Sequence, residues 1–279
     1  MLTLIYNILD GLPFEWLSFQ FMKSAFLAML LITPLFGLLG TMVVSNKMAF
    51  FSETLGHSAL TGIGLGVLLG LPNPLYGMII FGILFAICLV WVKNMGGAST
   101  DTTIAVFSAA AIALGVVLLS AGGGFNRYTT YIVGDLLAVS PSDLQLLFWV
   151  LVGTLIAWVF VFNRLLLITL SPSLAYSRAV PVMVYEMLFT ALVAVVVMVA
   201  IRWVGLLMIN ALLILPAAAA KNIARNYRGF SLFAVLFALF SGITGLVLSY
   251  YLSSATGATI VLAASVLYFV TLLWKVKFQ

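Results

Sequence analysis

Glu53 and His57 are the residues whose types and spacing could most readily do chemistry in this sequence. Four positions apart, they share one face of a helix. A carboxylate and an imidazole are good ligands for a first-row divalent cation. They follow Lys47 and precede an apolar run, where a helix enters the membrane or a cavity within it. Ionisable groups at such a depth face a bundle interior and mark an ion or substrate route. One helix supplies only these two ligands, so the rest of a site must come from elsewhere in the chain, from a second copy or from water. The plainer alternative is a membrane-edge glutamate with His57 hydrogen-bonded to it. His57 is the single histidine and Cys88 the single cysteine, which excludes a Cys/His metal cluster and an internal disulfide.

Two other stretches are unusual. Gly62, Gly66 and Gly70 recur every four residues, the small-xxx-small pattern that lets membrane helices approach closely. At about 100° per residue this row lies roughly 140° around the helix from His57, so packing and ligand faces would be separate. The stretch from Gly205 to Ala220 places Pro216 inside a span and follows it with four alanines. A proline there kinks the helix and frees a backbone carbonyl, and the alanines permit close packing. Packing is the expected role of both stretches, with gating the further reading of Pro216. The sequence holds no Walker A run, no His-Glu-x-x-His and no Gly-x-Ser-x-Gly, which argues against an ATPase, an intramembrane zinc protease or a serine hydrolase in this chain.

The elements that must position these residues follow from composition. Of 279 residues, 65% are hydrophobic and only 7% are charged, against roughly 25% in soluble domains. The mean hydropathy is +1.27. So few charges cannot build a water-soluble surface, which excludes a soluble enzyme or a nucleic-acid-binding domain. The net charge of +5 is scattered along the chain and indicates no polyanion partner. The partner of such a surface is the lipid bilayer, and the fold class is all-α, a polytopic membrane helical bundle.

Charge-free windows give the spans. Residues 24–46 make one. Residues 54–92 would give ~58 Å of helix, about two bilayer cores, and divide at Leu71-Pro72-Asn73-Pro74. Further spans are expected from Asp101 to about Ser120, over 144–163, from Pro181 to Arg202 and from Trp203 to Ala220. Residues 229–274 divide near Ser253-Ser254-Ala255-Thr256-Gly257. The sum is about nine spans, or eight, in a single transmembrane domain over 1–279. Residues 1–18 read as an interfacial helix, and nothing at the start suggests a cleaved leader. The longest external connection is 121–141, with Gly122-Gly123-Gly124 and Arg127, and the longest cytoplasmic one is 164–180. Ser171 before Pro172 reads as an N-cap followed by a first-turn proline. Nine of the twelve cations (Lys47, Lys93, Arg164, Arg178, Lys221, Arg225, Arg228, Lys275 and Lys277) fall on one side. The positive-inside rule makes that side cytoplasmic, with the C-terminus inside and the N-terminus outside.

Taken together these segments resemble the permease subunit of bacterial ABC importers for manganese, zinc or iron(II). Lys47-Met48-Ala49-Phe50-Phe51-Ser52-Glu53-Thr54-Leu55-Gly56-His57-Ser58-Ala59-Leu60 is similar to the family's basic-x-Met…Gly-Asp-x-Leu-Ser-His-x-x-Leu segment. Gly134-Asp135-Leu136-Leu137-Ala138-Val139-Ser140-Pro141-Ser142-Asp143-Leu144 and the Gly205–Ala220 stretch resemble two others, in the family's order. The resemblance implies a metal-chelate-type (type II) importer fold in the bacterial plasma membrane. Its partners would be a second copy of the chain, a cytoplasmic ABC ATPase dimer and an extracellular metal-binding protein. No cofactor would be bound permanently; the divalent metal is cargo. It places the family's metal-path Asp and His on Glu53 and His57, and its cytoplasmic coupling segment on Ser171, Pro172, Ser173, Leu174 and Ala175 through Arg178 to Val180. Glu replaces Asp at 53 and Ser replaces Asp at 171, which bears on metal preference more than on coupling. The competing expectation is an ATP-independent carrier or channel.

Overall fold

The computed structural model describes residues 2–11, 13–96, 99–121, 131 and 134–278. Among them are eleven α-helices, two short 3-10 turns and no strand. The helices are α1 (Leu2–Asp10), α2 (Gln20–Ser45), α3 (Ala49–Leu68), α4 (Pro74–Asn94), α5 (Thr100–Ala121), α6 (Pro141–Leu170), α7 (Pro172–Ser177), α8 (Val182–Val204), α9 (Leu206–Ile223), α10 (Tyr227–Leu252) and α11 (Thr256–Phe278). Each of the expected span windows falls on one of the helices α2–α6 and α8–α11. Seven are long and apolar enough to cross a membrane on those grounds alone: α2, α4, α5, α6, α8, α10 and α11. α3 carries Glu53, His57 and several hydroxyl and glycine residues, which lower its hydropathy. α9 is a shorter apolar helix. The count of nine spans therefore rests on these two. At nine residues α1 is too short to span. It is tied to the start of α2 by an Asp10–Lys23 ion pair and by a 2.9 Å hydrogen bond between Tyr6 and Ser24.

Two boundaries differ from expectation. α6 continues past Arg164 to Leu170, because a long basic side chain reaches an interface from within a helix and the stop is Ser171, which caps α7. α9 begins at Leu206 rather than Trp203, because Gly205 takes φ +83°, a conformation open to glycine. Gly122, Gly123, Gly124 and Arg127 lie outside the described residues.

The chain divides into two compact units. One comprises Met1–Thr41, Gly134–Val152 and Trp203–Gln279, the other Met42–Val133 and Gly153–Arg202. The division passes within α2, α6 and α8. In the first unit small residues set the helix separations. A Cβ on Gly37 would lie 2.8 Å from the Val235 Cα, and Gly40 abuts the Leu213 carbonyl. Thr259 Oγ1 donates to the Gly245 carbonyl at 2.8 Å, joining α11 to α10. Hydroxyls spent on carbonyls in this way keep polar groups paired where no water is at hand.

In the second unit α3 packs against both α4 and α5. Gly62 and Gly66 face Gly77 of α4, and a Cβ on Gly62 would meet the Met78 Cα at 2.7 Å. On the α5 side, Gly64 meets Leu118, Gly115 meets Leu60 and Thr61, and the buried Thr61 Oγ1 donates to the Ala111 carbonyl at 2.6 Å. Gly62 and Gly66 thus lie against the backbone of α4. Gly70 does not: it is exposed past the end of α3 with φ +65° and nothing within 4 Å of its Cβ direction. Its role is a left-handed turn, which interrupts helical periodicity.

Candidate functional site

The site begins with how α3 spends its surface. Thirteen of its residues are buried, and the exposed or half-exposed positions of its first half are Ala49, Phe50, Glu53 and His57. The hydroxyls beside the pair turn back onto their own helix: Ser52 Oγ donates to the Ala49 carbonyl, Thr54 Oγ1 to that of Phe50 and Ser58 Oγ to that of Leu55. This local bonding is the usual fate of Ser and Thr in helices. It leaves the carboxylate and the imidazole as the groups presented outward.

Glu53 has a side-chain exposure of 47% and His57 of 19%, with His57 Nε2 3.8 Å from Glu53 Oε1. That separation is beyond hydrogen-bonding range, which counts against a histidine placed only to bond the glutamate. It is close to the ~3.4 Å spacing of two ligands that hold one ion tetrahedrally at ~2.1 Å each. Among the described residues no group of three or more His, Cys, Asp or Glu gathers in one place. Within the described residues, then, Glu53 and His57 stand as a pair with no third such side chain gathered beside them.

The expected coupling segment is a helix. Ser171 caps α7, its side chain accepting from the Leu174 N–H at 3.3 Å, and Pro172 occupies the first turn. The Arg178 N–H returns to the Leu174 carbonyl, and Ala179 closes the turn at φ +52°. Ser173, Leu174, Tyr176 and Arg178 are exposed. Ala175 is not: it is fully buried against Ile168, Val180 and Val182, with Leu167 and Tyr185 packed around them. The exposed face of α7 therefore does not include Ala175. A large side chain there would displace the chain's own packing, because α7 must bury one face to stay folded at six residues.

Gly205 and Pro216 separate in role. Gly205 ends α8 against Gly134, which also has positive φ (+77°); a Cβ on Gly134 would lie 2.7 Å from the Gly205 Cα. The two glycines thus hold the Gly134-Asp135 segment against the break between α8 and α9. Asp135 then accepts from the Leu137 N–H at 3.1 Å. Pro216 lies buried inside α9, which continues on both sides of it. The nearby Ala217, Ala219 and Ala220 are fully buried.

One polar cluster joins residues far apart in the sequence. Glu186, near the start of α8, receives Lys93 Nζ at 3.3 Å on both oxygens and Asn94 Nδ2 at 3.2 Å. The charged partners are 93 positions apart. A lone acid in an apolar span is the one signal that could have drawn attention to it.

Comparison with known proteins places this architecture. The chain is 30% identical over 259 residues to the high-affinity zinc uptake system membrane protein ZnuB of Haemophilus influenzae, covering 91% of this chain and 97% of that one. It is 30% identical over 268 residues to the manganese import system permease protein ScaB of Streptococcus parasanguinis, covering 96% and 94%. Among solved structures it is similar to PsaBC from Streptococcus pneumoniae in complex with Fab, with a TM-score of 0.80, 27% identity and coverage of 96% and 95%. The ABC 3 transport family model matches residues 18–275, nearly the whole helical bundle, and the chain belongs to that family.

Proposed function

We propose that the chain is the membrane-spanning permease subunit of an ATP-driven importer of a divalent transition-metal ion, zinc or manganese. The observation that carries this reading is the pair itself: Glu53 and His57 are the ionisable groups presented by a helix that buries thirteen of its residues, at a spacing suited to one ion. Two copies bring two carboxylates and two imidazoles together, a four-ligand path for a transient ion. The relatives named for zinc and manganese transport support those two metals. Iron(II), which the ligand set also suits, is named by neither.

Residues 1–279 act as one permease domain of nine spans, in which α3 and α9 count beside the seven more apolar helices. α1 lies at the outer interface, the C-terminus is inside, and the 164–180 connection is cytoplasmic. α7 docks on an ATPase dimer through Ser173, Leu174, Tyr176 and Arg178. An extracellular binding protein delivers the metal. Nucleotide-driven rocking then exposes the Glu53–His57 path to one side and the other, with Pro216 and the Gly205 break as the yielding points of α8–α9. The test is uptake of radiolabelled zinc and manganese into proteoliposomes holding the permease with its ATPase. Uptake is expected only with internal or external ATP on the ATPase side, and uptake by the permease alone would contradict the reading.

A further inference from the structure

We propose that Glu186 and Lys93 form a clamp that passes movement of the coupling segment to the metal-bearing helix. The inference rests on the role proposed for α7. It starts from the first turns of α8, which have two neighbours at once. Val182 and Tyr185 pack with Ala175 beneath α7. Glu186, the next residue, is held by Lys93 and Asn94 at the end of α4. Whatever displaces α7 therefore pushes on the same turn that grips α4.

The clamp is local and electrostatically well placed. Lys93 and Glu186 are each about four-fifths buried, with side-chain exposures of 22% and 23%. Screening is weaker there than at a free surface. Lys93 lies in the last turn of α4, where the helix dipole favours a cation, and Glu186 lies one turn into α8. Asn94 also donates to the Val90 carbonyl at 2.8 Å, so its amide is fixed to its own helix while it reaches Glu186. The carboxylate thus joins α8 to two consecutive residues of α4.

From α4 the connection to the metal path is rigid. Gly62 lies against Met78, and Gly66 against Pro74 and Gly77, backbone to backbone. Contacts between backbones cannot relax by changing a rotamer, so α3 and α4 move together. This antiparallel register sets Glu53 level with Ile87, about 9 Å along the axis from Lys93. The sequence of contacts α7–α8–α4–α3 lies wholly within one compact unit. Glu186 and Lys93 are positioning residues in this scheme, and neither touches the ion.

The test uses the permease assembled with its ATPase in proteoliposomes, with metal uptake and ATP hydrolysis measured in the same vesicles. Glu186→Lys and Lys93→Glu should each lower the metal carried per ATP hydrolysed by ~10-fold, while the ATPase stays bound. The double exchange Lys93→Glu/Glu186→Lys should restore the ratio to within ~3-fold of the parent, because the attraction is re-formed. Glu186→Gln, which keeps the shape but removes the charge, should lower the ratio in complexes that still retain the ATPase. Normal ratios in the single variants would overturn the proposal, as would a stable, assembled double exchange with no recovery. Tyr176→Asp is the separate control. If it leaves ATPase binding and transport intact, the docking role of α7 fails, whatever the clamp variants do.

Discussion

At the scale of single residues, the chain uses charge sparingly, and its few ionisable groups carry the most specific expectations. Glu53 is one methylene longer than the aspartate of the family pattern it resembles. Glu53→Asp is therefore expected to keep transport and to change the order of preference between zinc and manganese. Competition of each metal against the other in an uptake assay reads this directly. An unchanged order would show that the length of the side chain at 53 does not set preference. Glu53 and His57 could be seen in the sequence because a carboxylate and the single histidine, four apart, stand out in a chain with 7% charge. Glu186 and Lys93 could not. Lys93 served as the end of a span, and its partner lies on another helix, where no helical spacing links them.

At the scale of elements, close backbone approach makes specific substitutions costly. Gly62→Ala places a Cβ 2.7 Å from the Met78 Cα and should destabilise the permease by about 1–3 kcal/mol, the cost of overpacking. Gly153→Ala in α6 meets nothing within 4 Å and should be neutral. Thermal unfolding of the detergent-solubilised protein separates the two. α7 gives a second contrast. Leu174→Asp and Tyr176→Asp should reduce retention of the ATPase on co-purification without lowering the permease's own melting temperature. Ala175→Arg should lower that temperature, because its site is already full. Equal effects at 174 and 175 would remove the distinction between docking face and buried face. Element existence was legible from charge-free windows and from proline and glycine punctuation, as at Pro72–Pro74 between α3 and α4. The windows miss the hidden face of Ala175, which tertiary contact sets, and also the left-handed turn at Gly70 and the helix that runs on through Arg164, which local backbone conformation and side-chain reach set.

At the scale of the whole molecule, the proposed ion path is completed between two copies. A chain that offers one carboxylate and one imidazole on an open face of a helix can supply four such groups by pairing with its own copy. The charge on Glu53 is then required, since it offsets a divalent cation in surroundings of low dielectric. Glu53→Gln preserves size and an acceptor oxygen while removing that charge. The decisive measurement is radiolabelled zinc and manganese uptake per assembled permease–ATPase complex, comparing the parent with Glu53→Gln and His57→Ala. Both variants are expected to assemble normally and to carry less than about a tenth of the parent's metal, the scale of loss when a partner of a metal site is removed. Normal uptake by assembled Glu53→Gln would contradict the proposed ion path.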